Sequence, residues 1–199
     1  MSIVVEHEKR RREILEKALD VFMDEGFEDV TFQKIADRCG ITRTTLYIYF
    51  KNKREIFNFS IKQFLQFLES DIAEIGKGET LSHAEKLTRV MTVIIGRLEE
   101  NRRLLSVVLN YLFYASRGDF DADYRVRRRT VRLRHILTTV LIEGIKAGEF
   151  QKSMNVKKAN EMLYSFLEAA VFRLVVLRRT TVDELKDAMK LAIGNFAAK

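Results

Sequence analysis

The chain contains no proline, no tryptophan and a single cysteine among its 199 residues. One cysteine excludes a disulfide framework and a multi-cysteine zinc site. Without proline, breaks between elements must come from Gly, Asn, Asp, Ser or Thr. The N-terminal residues lack the apolar core of a signal peptide, and no run of about 18 apolar residues is free of charge. We therefore expect a soluble, cytoplasmic protein that has no membrane partner.

Signals for an enzyme or a cofactor site are weak as well. His7, His83 and His135 lie in separate predicted elements and have no partner at the i+4 position, which argues against a metal site. The chain also lacks a Gly-rich phosphate loop and a nucleophile elbow. The sequence therefore predicts no catalytic residues, no metal and no cofactor.

Hydrophobic residues make up 47% of the chain and follow the helical period. They recur about every 3.6 residues, and alternation with a period of two is nowhere sustained. The sequence therefore predicts an all-α fold of about nine helices. The predicted helices run from about Glu8 to Glu25, from Thr31, from Thr42, from Asn52 to Ile75, from Ser82 to Glu100, from Asn101 to Tyr114, from Asp121 to Ala147, from Asn155 to Arg178 and from Thr181 to Ala197.

Several of these helix ends carry specific signals. Ser82 to Glu85 and Thr181 to Glu184 have the spacing of a capping box. Gly26 and Gly148 stand where a left-handed glycine would end a helix.

Two short helices near the N-terminus have especially clear starts. Thr31 and Thr42 each follow an apolar residue and precede another at the fourth helical position, the pattern of an N-cap with a hydrophobic staple. Gly40 lies in the turn between them. A short helix, a Gly-containing turn and a second short helix within residues 31–50 form a helix-turn-helix pattern. In that motif the second helix lies in the major groove of DNA, with its N-terminal residues at base edges.

The residue types in this segment suit DNA. Arg43 can pair with a guanine edge, whereas Thr44 and Thr45 can donate to a phosphate or contact a thymine methyl group. Lys53 stands at the start of a helix, where the macrodipole disfavours a cation. We therefore interpret a lysine at this position as a phosphate contact. Tyr47 is open to two interpretations, a DNA contact or partial burial with only its hydroxyl at the DNA. Further hydroxyl and ammonium groups follow at Tyr49 and Lys51.

The distribution of charge also favours this segment. The whole chain has a formal net charge of +7, yet residues 1–60 hold 11 basic and 11 acidic groups. Between Thr31 and Arg54 there are six basic residues and one acidic residue. Because phosphates respond to local charge, this excess supports DNA binding where the net charge of the domain does not.

The run T-x-x-x-I-A-x-x-x-G-I-T-x-x-T-L-Y-x-Y-F-K-N-K, from Thr31 to Lys53, resembles the DNA-binding domain of the tetracycline-repressor (TetR) family. The resemblance implies a three-helix DNA-binding domain over residues 8–68 and a helical ligand-binding and dimerisation domain over 69–199. It also implies base contacts from the second helix and mainly backbone contacts from its neighbours. The predicted DNA-binding residues are Thr31, Gln33, Lys34, Thr42, Arg43, Thr44, Thr45, Tyr47, Tyr49, Lys51 and Lys53.

The C-terminal helices predict a homodimer. The segment from Met162 to Leu177 is apolar nearly all round, and the helix after it carries a wide apolar stripe. Two such helices could pair with their symmetry mates, as the resembled family does, or could both face their own core. A dimer suits a palindromic DNA operator, because each protomer then reads one half-site. The predicted interface residues are Phe172, Val176, Leu185, Met189, Ile193 and Phe196.

The resemblance further implies a pocket for an unknown small-molecule effector between the middle helices. Each candidate lining residue can equally be read as ordinary core. Aromatic and methionine side chains suit a pocket that adapts to apolar ligands. The candidates are Phe64, Phe67, Met91, Leu105, Leu109, Tyr111, Leu112, Phe113, Tyr124, Met162 and Phe166.

A dense basic run lies in the predicted seventh helix. It can be a solvated helix face, paired in part with nearby aspartates, or a site for an anionic effector or partner. Its members are Arg125, Arg127, Arg128, Arg129, Arg132 and Arg134.

Taken as a whole, the sequence predicts a DNA-binding transcriptional regulator, most simply a repressor that a ligand releases. The alternatives are an activator of the same fold and a helical ligand-binding or scaffold protein with no role at DNA.

Overall fold

The computed structural model describes residues 3–76, 81–115 and 122–198, and this part of the chain is all-α, as predicted. It contains no β-strand, only an isolated antiparallel bridge between Phe150 and Ala197. The helices are α1 (Ile3–Glu25), α2 (Phe32–Cys39), α3 (Arg43–Tyr49), α4 (Lys53–Gly76), α5 (His83–Glu100), α6 (Arg102–Ala115), α7 (Ala122–Lys146), α8 (Val156–Val175) and α9 (Asp183–Gly194).

The chain divides into two compact units. Residues 1–65 and 103–120 form the first, and 66–102 and 121–199 form the second. The sequence places the boundary near residue 68 but assigns α6 to the second domain, whereas the fold adds most of α6 to the first unit. Arg103 of α6 hydrogen-bonds the Asp20 carboxylate of α1, and Val107 is buried in the first core.

The first unit is built around the inner face of α1. Ile14, Ala18 and Phe22 of that helix are almost fully buried. Phe27 and Phe57 extend this core, and their ring centroids lie 5.0 Å apart. Because α1 packs on α2 and α2 packs on α3, this core fixes the position of both short helices.

Most of the predicted helix ends are confirmed. Thr31, Thr42 and Asn155 accept a hydrogen bond from a backbone N–H in the first turn of their helices, and the Ser82–Glu85 capping box is complete. Gly26 ends α1 in the left-handed region, with φ of +81°.

The predicted capping box at Thr181 is wrong. The last helix begins two residues later, after Val182, and has no side-chain cap. Lys186 hydrogen-bonds the Asp183 carboxylate, and the Thr181 hydroxyl does so as well. Both bonds lower the pKa of this carboxyl, and the bond from Lys186 has the larger effect. The threonine is therefore used by a neighbouring side chain rather than by the helix backbone.

In the second unit, α5 packs against α7, α8 and α9. Leu87, Met91 and Ile94 of α5 are buried among them. Gly144 of α7 allows Phe150 to pack closely, because a Cβ atom at this position would lie 2.3 Å from the ring. Within the described ranges, no helix is both long enough and apolar enough to cross a membrane.

Candidate nucleic-acid interface

The turn between α2 and α3 is closed by a glycine. Gly40 has φ of +67°, and its N–H donates to Asp37 O at 3.0 Å. The N–H of Ile41 donates to Ala36 O at 3.1 Å, which completes a Schellman motif. Since a residue with a side chain would be strained in this conformation, the glycine fixes the angle at which α3 leaves α2.

The helix α3 has one buried side and one exposed side. Leu46 is fully buried against the first core. Arg43, Thr44, Tyr47 and Ile48 are exposed. Three residues predicted to contact DNA, Arg43, Thr44 and Tyr47, therefore share an outward face with Ile48, and this face presents a guanidinium, two hydroxyl groups and an apolar side chain.

Arg43 and Tyr47 are joined along this face. The Arg43 guanidinium donates to the Tyr47 hydroxyl at 3.1 Å, and its Cζ lies 5.7 Å from the centroid of the Tyr47 ring. The Tyr47 ring also contacts Phe32, at a centroid distance of 4.8 Å. Tyr47 is 48% exposed, so its ring packs in part while its hydroxyl remains on the surface. The structure therefore shows partial packing of the Tyr47 ring, and contact of its hydroxyl with DNA stays a prediction.

Two of the predicted threonine contacts serve the helix itself. Thr42 Oγ1 accepts from the N–H of Thr45 at 3.0 Å and lies 2.8 Å from Thr45 Oγ1. Thr31 Oγ1 accepts from the N–H of Lys34 at 3.2 Å. Thr44, in contrast, is exposed on the outward face.

The cations of α2 are paired with carboxylates at the end of α1. Lys34 Nζ lies 2.5 Å from Glu25 Oε2, and an Arg38 Nη atom lies 3.0 Å from Asp24 Oδ2. Gln33 donates to Asp37 at 2.7 Å on the same helix. A phosphate that approaches Lys34 or Arg38 therefore meets a neighbouring carboxylate that competes with it.

The structure corrects the expectation for Lys53. Its ammonium donates to the carbonyl oxygens of Phe27, Glu28 and Val30 at 2.8, 2.7 and 2.9 Å. These bonds use all three N–H groups, so the side chain holds the loop before α2 and has no N–H group left over for a phosphate. Lys51 is exposed, and its backbone N–H donates to Glu55 Oε2 at 2.5 Å.

Tyr49 and Cys39 belong largely to the packing of the first unit. The Tyr49 ring stacks on His7 at a centroid distance of 4.7 Å and lies partly buried against the core. Cys39 is buried, and this burial raises the pKa of its thiol. Neither the Cys39 thiol nor the Tyr49 ring lies on the outward face of α3.

Sequence reasoning missed two exposed residues of this surface. Ile48 lies on the outward face of α3, and Arg38 lies on the exposed side of α2. The signal for Ile48 was its spacing of four residues from Thr44, which places both on one side of a helix.

The predicted dimer residues are divided by burial. Leu185, Met189 and Ile193 are buried within their own unit, because α9 packs against α5 and α8, so their assignment to the interface is corrected. Phe172 of α8 and Val176, the C-cap residue of that helix, are exposed. Phe196 is partly buried and contacts Phe150, with ring centroids 6.0 Å apart.

The predicted effector-pocket residues are divided between the two units and differ in burial. In the first unit, Tyr111 packs against Phe27 and Phe57 at centroid distances of 4.8 and 5.0 Å, so its ring belongs to the aromatic core. Phe113 and Phe67 are exposed. Phe64, Leu105, Leu109, Leu112, Met162 and Phe166 are partly buried, Met91 is fully buried, and the side chain of Tyr124 lies outside the described residues.

The basic run is described only in part. Arg132 is paired with Glu69 at 2.9 Å, and Arg134 is paired with Glu161 at 2.8 Å and lies over the Tyr164 ring. Arg128 is exposed. The side chains of Arg125, Arg127 and Arg129 lie outside the described residues, as do those of Asp119, Asp121 and Asp123. Ion pairing thus accounts for two of the described arginines.

Other kinds of site have little support in the described parts of the chain. Among residues 3–76, 81–115 and 122–198, no group of three or more His, Cys, Asp or Glu side chains could hold a metal ion. A cavity of about 510 Å³ lies between the end of α8 and the start of α9, lined in part by Arg173, Leu177 and Arg179. None of the predicted pocket residues lines this cavity.

Comparison with known proteins supports the assignment of the α2–α3 surface. Residues 14–58 match the family described as "Bacterial regulatory proteins, tetR family". The chain is 26% identical to the fatty acid metabolism regulator protein of Bacillus subtilis (strain 168), over 80% of each chain. It is 29% identical to the transcriptional repressor KstR2 of Mycolicibacterium smegmatis, over 79% of this chain and 74% of the relative.

The fold is also shared with a solved structure. The transcriptional regulator FadR from Bacillus subtilis in complex with stearoyl-CoA superposes with a TM-score of 0.68 and 24% identity, over 94% of this chain and 97% of that chain. The family match covers α2, α3 and their supporting core, which are the elements that present the exposed Arg43, Thr44 and Tyr47. Residues 14–58 therefore match the DNA-binding segment of the tetR family of bacterial regulatory proteins, and the chain is a DNA-binding transcriptional regulator.

Proposed function

We propose that the protein is a homodimeric repressor that binds a palindromic operator through α3 and is released from it by a long-chain acyl-CoA. The observation that carries the DNA-binding part is the outward face of α3. Arg43 and Thr44 are exposed on a helix whose opposite side is fixed by the buried Leu46. A rigid short helix with donors on its free face suits recognition of base edges in the major groove.

Exposed apolar residues on α8 support the dimer. Phe172 is 53% exposed and Val176 follows it by one helical turn. Leu191 of α9 is also exposed, and α9 packs on α8. Large apolar side chains clustered on a surface mark an interaction site more often than an ordinary solvated face. A symmetric dimer would cover them and place two copies of α3 for two half-sites about 34–36 Å apart.

An acyl-CoA is the effector class that the relatives favour. The FadR structure contains stearoyl-CoA, and the Bacillus subtilis relative is named for fatty acid metabolism. An acyl-CoA combines a long apolar chain with an anionic nucleotide portion. The second unit of this chain offers matching chemistry, with partly buried Met162 and Phe166 and the exposed Arg128.

Release would follow from a shift between two conformations. DNA favours the dimer in which the two α3 helices match the spacing of the half-sites, whereas the effector favours another separation. Thermodynamic linkage then requires that the effector and the operator weaken each other's binding by the same factor. The protein would act in the cytoplasm, where the operator DNA lies, and it would have no catalytic role.

The experiment that tests this proposal uses a labelled duplex from the DNA upstream of the protein's own gene. Fluorescence anisotropy should show a complex that stearoyl-CoA dissociates, whereas coenzyme A alone and free stearate do not. If the complex forms but resists every acyl-CoA, the effector class is wrong. If deletion of the gene lowers transcription of the adjacent genes, the protein is an activator of the same fold.

A further inference from the structure

The outward face of α3 includes a strongly exposed apolar residue. Ile48 is 67% exposed, although it stands between Leu46 and Phe50, which are both buried. Its neighbours on that face, Arg43, Thr44 and Tyr47, carry polar groups. Exposing a branched aliphatic side chain gains the folded protein nothing, because the hydrophobic effect favours its removal from water.

The spacing of Ile48 ties it to the residues that read DNA. It follows Thr44 by four residues, so these two side chains are neighbours on the exposed side of the helix, next to the exposed Arg43. A helix of seven residues is about 10 Å long, close to the width of the major groove of about 12 Å. A pose that brings Thr44 to a base edge therefore brings Ile48 into the same groove.

The major groove offers one apolar group on its floor, the C5 methyl of thymine. An isoleucine side chain suits it because branching at Cβ restricts χ1, so the side chain projects rigidly from the helix. Contact between the two removes apolar surface of both partners from water. Thr44 carries one methyl group that could make such a contact, whereas Ile48 offers a larger and wholly apolar side chain.

We propose that Ile48 is a specificity-determining residue that contacts the C5 methyl group of one thymine in each half-site of the operator. This inference rests on the DNA-binding function and adds a base preference to it. Recognition by Ile48 differs in kind from recognition by Arg43, because it depends on a methyl group and not on a hydrogen bond.

Deoxyuridine provides the test, because it differs from thymidine only by the absence of this methyl group. Each thymine of the operator is replaced in turn, and the Kd is measured by anisotropy for the wild-type protein and for Ile48→Ala. Alanine is the strongest helix former, so α3 should persist, which circular dichroism checks. The control is Val131→Ala, which shortens an exposed valine of α7 in the second unit.

For the wild type and Val131→Ala, we expect one replacement per half-site to weaken binding about four-fold, the ratio expected for burial of one methyl-sized group. Ile48→Ala should bind the thymine and uracil duplexes with Kd values that differ less than two-fold. The proposal is overturned if the wild type binds the operator but no thymine shows methyl dependence, or if Ile48→Ala retains that dependence. Absence of any binding by the wild type would instead overturn the DNA-binding function, and this proposal with it.

Discussion

The ammonium of Lys53 donates a 2.9 Å hydrogen bond to the carbonyl oxygen of Val30, the residue that precedes the N-cap of α2. With its bonds to the two other carbonyls of the same loop, Lys53 holds the start of α2 against the start of α4. The position of the whole helix-turn-helix segment thus depends on a side chain 22 residues beyond Thr31. Lys51, two residues earlier, has an exposed side chain.

This contrast predicts different effects for the two lysines. Lys53→Met leaves three carbonyl oxygens without their charged donor, and we expect the free energy of unfolding to fall by about 2–4 kcal/mol. Lys51→Met should change it by less than about 0.5 kcal/mol and should lower the salt dependence of DNA binding by about one phosphate contact. Urea unfolding and a salt titration of the Kd measure the two quantities. If the two variants have the same free energy of unfolding, Lys53 does not have this structural role.

Arg43 is predicted to set a base preference. Arg43→Ala should weaken binding to the preferred operator by about 1–3 kcal/mol and reduce discrimination at one base position of each half-site. Arg128→Ala, which removes an exposed arginine of α7, is the matched control and should leave the preference unchanged. Selection of bound sequences from a random pool provides the measurement. An unaltered preferred sequence in Arg43→Ala would show that Arg43 does not read a base.

The carboxylates at the end of α1 are predicted to weaken non-specific DNA binding. Glu25 and Asp24 pair with Lys34 and Arg38, and a phosphate must compete for these cations. Glu25→Gln and Asp24→Asn should therefore tighten binding to a random duplex several-fold. Glu16→Gln removes the same charge from an exposed position of α1. If this control has an equal effect, net charge and not the freed cation explains the change.

The exposed apolar face of α8 is predicted to be covered by a second copy of the chain. Phe172→Asp should place an unpaired charge in that interface and shift the protein from dimer to monomer, as sedimentation velocity at micromolar concentration would show. Loss of the dimer should also lower the affinity for the full operator, because a monomer contacts only one half-site. Val131→Asp adds the same charge to an exposed apolar position of α7 and should leave the dimer intact. A variant Phe172→Asp that remains dimeric would exclude this interface.

Local signals in the sequence were sufficient for much of the first unit. The N-caps Thr31 and Thr42 and the left-handed Gly26 depend on neighbours within a few residues, so their patterns can be read directly. The role of Lys53 depends on carbonyl groups far along the chain and has no local signature. The sequence could therefore identify the DNA-binding motif but not the contacts that hold it in place.

In the second unit, the sequence alone also cannot show what covers each apolar face. The stripe of α9 is visible in the sequence, yet hydrophobic periodicity does not distinguish a face buried within the protomer from a face buried between protomers. Leu185 and Met189 lie on a face buried within the protomer, and Phe172 remains a candidate for a face buried between protomers. Likewise, the joining of α6 to the first unit follows from long-range packing at Val107, which no helix pattern encodes.

The most direct test of the account compares binding to two duplexes at the same salt concentration. One is the DNA upstream of the protein's own gene, and the other is a shuffled duplex of equal length and composition. If the outward face of α3 reads bases, the upstream duplex should bind at least about 1,000-fold more tightly, the lower end of the ratio for specific regulators. Equal affinity for both duplexes would contradict the account, because contacts with phosphates alone would then explain all the binding.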